Sequence, residues 1–259
     1  MSRIPKTEST HPKPRPKPPR HDPFDGALLV DKPTGLTSHD VVARIRHHFK
    51  LKKVGHGGTL DPMATGLLIL LLGRGTKTSD LLINSDKTYE GTLRLGEVTD
   101  SQDSDGEITE RRDTDLVTRE HIEAEMKKLE GDLMQTPPML SAIKKDGVPL
   151  YKLARKGQVV ERKPRLVHLF DFQLVDYKEP NAEFRLRCTK GTYVRTLCAD
   201  VGDALGCGGH LARLRRTESG RFHVDDAAPL ADLLDMSLEE LGKRVIPIHR
   251  ITESAQSLS

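Results

Sequence analysis

The pattern of apolar and polar positions breaks the chain into short, distinct elements with no internal repeat. Ala27-Leu28-Leu29-Val30 is an apolar run of strand length, and Asp31-Lys32-Pro33-Thr34-Gly35 behind it reads as a turn. From about Ser38 the positions Val41, Val42, Ile45 and Phe49 fall on one side of a helix that ends at His47 and His48. Residues 67–72 are consecutive aliphatics and must be buried. Residues 88–95 alternate, with Tyr89, Leu93 and Leu95 on one face and Thr92 and Arg94 on the other, which predicts a half-buried strand. Residues 97–115 are acidic and rich in turn formers, as expected of a surface loop. Thr118 caps a predicted helix that runs to about Leu129 and stops at Gly131. Two further strands are expected around residues 166–175 and 183–189. A helix carrying Leu197, Val201 and Leu205 follows, and Gly208-Gly209-His210 opens a short helix ending in Arg213, Arg215 and Arg216. Ser237-Leu238-Glu239-Glu240 is a capping box for a last helix, and the chain is expected to be disordered from about Ile251. Hairpin-like strands interleaved with helices, without regular strand-helix-strand units, predict a mixed α+β fold.

The stretch from Val54 to Leu67 stands out from this pattern. Gly55, Gly57 and Gly58 surround His56, and Asp61 follows in front of Pro62, directly before the buried aliphatic run. Glycines let a backbone turn tightly, and proline pushes Asp61 away from helical geometry. A carboxylate is thereby held on a stiff loop tied to core, an arrangement common at active sites. The same residues read equally well as a helix start capped by Asp61 with Pro62 in its first turn.

Composition narrows the picture. The 259 residues carry a net charge of +3, but residues 1–24 alone hold six Lys/Arg against two Asp/Glu, so the remainder sums to −1. That tail also holds seven of the sixteen prolines; it reads as a disordered segment, partly polyproline II, able to attract phosphate non-specifically or to serve simply as a solvated tail. A nucleic-acid reading of the body must therefore rest on local patches. Residues 135–163 are one such stretch, a basic and largely exposed excursion with Lys144, Lys145, Arg155, Lys156 and Arg162; Arg213, Arg215 and Arg216 are further candidates for phosphate contact. No apolar run approaches a membrane span, and the basic N-terminus has no signal-peptide core. Cys188, Cys198 and Cys207 form no Cys-x-x-Cys pair and read as reduced, buried thiols. Gly73-Arg74-Gly75-Thr76-Lys77-Thr78 is not a phosphate-binding P-loop, since Thr76 precedes Lys77. No spacing of His, Cys, Asp or Glu suggests a metal site, and no cofactor is expected.

His-Gly-Gly-Thr-Leu-Asp-Pro-Met-Ala-Thr-Gly-Leu-Leu, from His56, resembles the catalytic motif of the TruB-type tRNA pseudouridine synthases. The resemblance continues in register through Lys87-Thr88-Tyr89-Glu90, Leu95-Gly96-Glu97-Val98-Thr99-Asp100, Gln135-Thr136-Pro137-Pro138 to Ser141-Ala142, Gly191-Thr192-Tyr193-Val194-Arg195-Thr196-Leu197 and Leu214-Arg215-Arg216. It covers about residues 26–222.

The resemblance implies the pseudouridine-synthase fold, a large mixed and mainly antiparallel sheet flanked by helices. It implies isomerisation of the T-loop uridine at tRNA position 55, with Asp61 as nucleophile acting on a flipped-out nucleotide. Arg195 matches the arginine paired with that aspartate, Tyr89 the base-stacking tyrosine, and Tyr193 and Leu214 the lining of the uracil pocket, Tyr193 with a second role in proton transfer at C5. His56 matches the histidine that fills the space left by the flipped base. Lys77 is matched to a lysine near phosphate and Asp103 to the RNA-facing side. Without the family match, Arg195 reads as a surface arginine and Tyr89 and Leu214 as core. The implied organisation is a tail (1–24), a catalytic domain (25–250) and a disordered end (251–259), acting on tRNA as a cytoplasmic monomer without membrane or guide RNA. Gly57 departs from the pattern, since a small hydroxyl residue is commoner there, and only about fifteen residues follow Gly242 where many relatives carry a C-terminal PUA-type domain. Two other classes compete: a non-catalytic RNA-binding factor, against which the Asp61, Tyr89 and Arg195 set speaks, and an Asp-dependent glycosidase, which would need a second catalytic carboxylate.

Overall fold

The computed structural model describes residues 23–252 apart from positions 142, 146, 151, 152, 154–156 and 159. The expectations for the tail (residues 1–22) and for Arg155 and Lys156 lie outside the described residues, as do the side chains of Lys144 and Lys145.

In chain order the elements are β1 (Gly26–Lys32), α1 (Ser38–His48), β2 (Val54–His56), β3 (Thr65–Leu72), a 3-10 helix (Gly73–Thr78), α2 (Ser79–Ile83), β4 (Lys87–Leu95), β5 (Glu97–Thr99), β6 (Ile108–Arg111) and α3 (Arg119–Lys128). There follow β7 (Gly131–Gln135), β8 (Lys144–Lys145), β9 (Val148–Pro149), β10 (Arg165–Lys178), β11 (Asn181–Cys188), α4 (Val194–Ala204) and β12 (Gly209–Ser219). The chain continues through β13 (Phe222–His223), β14 (Ala228–Pro229), α5 (Leu230–Asp235), α6 (Leu238–Arg244), β15 (Ile246–Pro247) and α7 (Ile248–Thr252).

One large sheet runs β14-β1-β3-β12-β4-β11-β10-β7, with β2 added to β3, β13 to β12 and β15 to β1. The β12–β3 and β1–β14 pairs are parallel; the other pairs of this sheet are antiparallel. The aliphatic run of β3 lacks alternation because both of its faces are covered. Leu68, Leu70 and Leu72 join the core under α1, α3, α4 and α5, while Leu67, Ile69 and Leu71 join a second core with Leu82 and Phe222. Capping boxes at Thr37 and Ser237 start α1 and α6 as the sequence predicted for the latter.

Three expectations are corrected. Residues 209–219 form strand β12 and not a short helix. Bulges at Leu211/Arg213 and Arg216/Glu218 break the two-residue alternation, so the inward Leu211 and Leu214 fall three apart and imitate helical spacing. Residues 97–115 are more than surface loop: β5 and β6 pair, and the segment between them folds inward, burying Ser101 and Asp103. Ile251 is buried in the second core within α7, where disorder was expected. The basic excursion is also anchored at intervals, since Gln135, Ser141 and Leu150 are buried.

Candidate active site

The loop from Gly57 to Ala64 joins β2 to β3, and its backbone is tied down along its length. Gly57 N donates to Ile69 O at 2.9 Å, and Ser38 both donates to Leu60 O (3.1 Å) and accepts from Leu60 N (2.8 Å). Lys32, fully buried at the end of β1, donates to Pro62 O (3.2 Å) as well as to Pro33 O and Leu36 O. Thr34 Oγ1 donates to Met63 O, and Gly35 N to Pro62 O. From the other side the buried guanidinium of Arg216 donates to Leu67 O at 2.8 Å, Thr59 O at 3.3 Å and Gly58 O at 3.4 Å. A Cβ at Gly57 would stand 2.7 Å from Leu82 Cβ, which accounts for glycine at the position that departs from the family pattern. Gly66 has φ +96° and lies against the Arg216 backbone, so the parallel β3–β12 pair closes only with glycine there.

Asp61 sits in this fixed loop with 37% of its side chain exposed. Its Oδ2 is 3.4 Å from Arg195 NH1, and Asp103 Oδ2 is 3.0 Å from the same nitrogen. Arg195 is 5% exposed and also donates to Leu140 O at 2.5 Å. One guanidinium thus bridges two carboxylates. Asp103 is held in turn by the Ser101 hydroxyl (2.5 Å) and by Asp105 N (3.2 Å). The removal of water around Asp61 pushes its carboxyl above the ordinary range, Arg195 pulls it back, and Asp103 and Asp105 push it up again. Arg195 is therefore the principal group favouring the ionised form.

Tyr193 is the residue that precedes α4. Gln135 clamps it by accepting from its N (2.8 Å) and donating to its carbonyl (3.1 Å). Its ring lies 5.6 Å from the Arg195 guanidinium and 4.8 Å from that of Arg165. Tyr89, on β4 beside Arg216 of β12, is buried, and burial pushes its phenol up to about 12. Leu214 is buried two residues before Arg216, and its carbonyl accepts from Thr65 Oγ1. His56 ends β2, accepts weakly from Gly58 N (3.4 Å), and is driven down in pKa by burial and then by Arg216, so its imidazole is neutral. Lys77 is exposed on the 3-10 helix and makes no bond to these groups.

The fold therefore gathers Asp61, Arg195 and Tyr193, places Tyr89 and Leu214 on the strands beside them, and leaves Lys77 apart. Two candidate phosphate contacts are corrected: Arg216 is buried in loop carbonyls, and Arg215 is paired bidentately with Asp31 at 3.0 and 2.7 Å. Arg213 remains exposed but bonds Glu183 at 2.9 Å. Sequence reasoning missed Lys32 and Ser38, and gave Gln135 no role although it opens the Gln-Thr-Pro-Pro motif. Among the described residues no group of three His, Cys, Asp or Glu is arranged to hold a metal.

The large mixed sheet flanked by helices and the similarity to known proteins place the chain among the pseudouridylate synthases. The chain belongs to the TruB family of these isomerases. The model of the family's N-terminal domain matches residues 46–194, and that of the tRNA pseudouridylate synthase B C-terminal domain matches residues 195–252. Both parts share one sheet, since β12 lies between β3 and β4. The chain is 54% identical over 231 residues to tRNA pseudouridine synthase B of Opitutus terrae, covering 89% of this chain and 96% of that relative. It is 46% identical to the protein of the same name from Syntrophotalea carbinolica, covering 91% of this chain and 77% of that one. Among solved structures it resembles a chain in the crystal structure of a Cbf5-Nop10-Gar1 complex, with a TM-score of 0.71, 30% identity and 92% of this chain covered; it spans 64% of that chain's length.

Proposed function

We propose that this chain converts the T-loop uridine at tRNA position 55 to pseudouridine, as a stand-alone enzyme of the cytoplasm that needs no guide RNA. The observation that carries the reading is the Asp61–Arg195 pair, 3.4 Å apart beneath the Tyr193 ring. The reaction breaks the N-glycosidic bond, turns the base and forms a bond from the sugar to C5, whose proton then leaves. Asp61 acts as a carboxylate, either attacking the nucleotide or standing against charge on the sugar. Arg195 keeps it ionised in a site that otherwise favours the neutral acid. The uridine must leave its stack to reach Asp61, and the freed base is held by Tyr89 and Leu214, with aromatic stacking contributing about 1–3 kcal/mol. In this reading Tyr193 handles the C5 proton. His56, half-buried, fills the gap left in the RNA, and Lys77, apart from these groups on the 3-10 helix, meets phosphate elsewhere along the RNA. Asp103, whose carboxylate shares Arg195, acts by positioning that guanidinium; its side chain is buried and bonded to Ser101, which disfavours the glycosidase reading, since a second catalytic carboxylate must reach the substrate.

The test is to incubate the purified protein, without any guide RNA, with an unmodified tRNA transcript and map pseudouridine along it. Conversion confined to the T-loop uridine is expected. No conversion, or conversion chiefly elsewhere, contradicts the reading.

A further inference from the structure

The sheet carries a second feature on the face turned away from Tyr89. Neighbouring residues of a strand point to opposite faces, so Thr88 of β4, paired with Arg187 of β11 and Glu218 of β12, lies behind the site. There a groove of about 620 Å³ opens between α2 and the ends of β11, β12 and β13. Three arginines line it, Arg185, Arg187 and Arg221, against two carboxylates, Asp86 and Glu218. The carboxylates leave much of this charge free. Glu218 accepts from the Thr88 hydroxyl at 2.7 Å, and Asp86 approaches Arg187 only to 3.7 Å. Arg185 is exposed and bonds to no side chain among the described residues. Arg187 is stacked over Phe170 at 4.8 Å, and Phe170 is itself 43% exposed.

The groove is joined to the Asp61 site around the C-terminal end of β11. From Arg187 the chain runs through Lys190, whose ammonium donates to Asn84 at 2.8 Å, to Tyr193, a path of at most about 20 Å. Arg165, over the Tyr193 ring, completes a line of cations from one face to the other. None of these cations serves the chemistry at Asp61.

We infer that this groove is a second RNA-binding subsite, which holds backbone phosphates of the tRNA outside the T-arm while the T-loop occupies the Asp61 site. This rests on the tRNA reading given above. Guanidiniums suit phosphate because their planar fork donates two parallel bonds. An arginine stacked on an exposed aromatic ring offers a planar surface for a base as well, which favours nucleic acid over an acidic peptide.

The test compares two substrates, full-length tRNA and the isolated T-arm hairpin, with wild-type protein and the double variant Arg185→Gln/Arg187→Gln. For tRNA the KM should rise about tenfold and the salt dependence of affinity should flatten by about one to two phosphate equivalents, with kcat at saturation unchanged. For the hairpin neither constant should move. The charge-retaining variant Arg185→Lys/Arg187→Lys should recover most of the tRNA affinity, which a folding defect would not allow. An unchanged KM for tRNA, or an equal loss on both substrates, overturns the inference. If the hairpin is converted normally while the variants match wild type on tRNA, only the groove inference falls. If wild-type protein converts neither substrate, the functional reading falls, and the groove inference with it.

Discussion

Arg195→Lys tests the electrostatic logic of the site without removing its positive charge. Arg195 reaches Asp103 at 3.0 Å, Asp61 at 3.4 Å and Leu140 O at 2.5 Å from one planar group. A lysine side chain is shorter, so its ammonium cannot reach the place where one guanidinium nitrogen now meets both carboxylates. Asp103, the closer and more deeply buried of the two, keeps it, and Asp61 loses its partner. One charge-assisted hydrogen bond contributes about 1.5–3 kcal/mol, so the single-turnover rate should fall roughly 10- to 100-fold. The loss should depend on pH in a defined sense. Burial already raises the Asp61 carboxyl and Arg195 is the main group lowering it; weakening that pair raises it further. If Asp61 acts as a carboxylate, as proposed, the acid limb of the rate profile must move to higher pH, and the deficit should be larger near about pH 5 than near about pH 8. The assay is release of tritium from the C5 position of labelled tRNA across that range. A rate within twofold of wild type throughout, or a loss of the same size at every pH, would refute the reasoning.

Two further outcomes follow from buried groups near the loop. Tyr89→Phe removes a buried hydroxyl beside Arg216 but keeps the ring, so equilibrium unfolding should change by no more than about 1 kcal/mol while the isomerisation rate stays within a few-fold of wild type. Lys32 is lowered to about 8 by burial, against an ordinary value of 10.5. Between those values the unfolded chain binds more protons than the folded one, so Lys32 makes stability rise with pH in that window, and Lys32→Met should flatten the rise in urea melts run at several pH values.

Much of the site was readable because its residues sit close together in sequence within unusual local patterns. Asp61 lies between glycines and a proline ahead of an aliphatic run, and the run itself announced β3. Arg195 became legible only through the family motif, since nothing in an amphipathic helix says that its first arginine is buried. Asp103 stayed obscure because an acidic, turn-rich segment looks solvated until its partner, 92 residues away, is brought in by the fold. Arg216 was misplaced for the same reason that β12 was: two bulges shift the inward positions, and the guanidinium faces carbonyls of β3 and the loop 149, 157 and 158 residues distant. Lys32 was lost in an apparent turn, although it is the last residue of a strand and its ammonium holds the loop that carries Asp61.

The central claim is that Asp61 performs the chemistry in a site whose remaining parts hold and orient the RNA. Asp61→Asn keeps the shape of the side chain and removes the charge, so it separates the two directly. With one unmodified tRNA preparation, tRNA affinity and single-turnover pseudouridine formation should be measured for wild type and variant side by side. The account predicts affinity within a few-fold of wild type and no detectable isomerisation. Pseudouridine formed by the variant at a rate near that of wild type would contradict it.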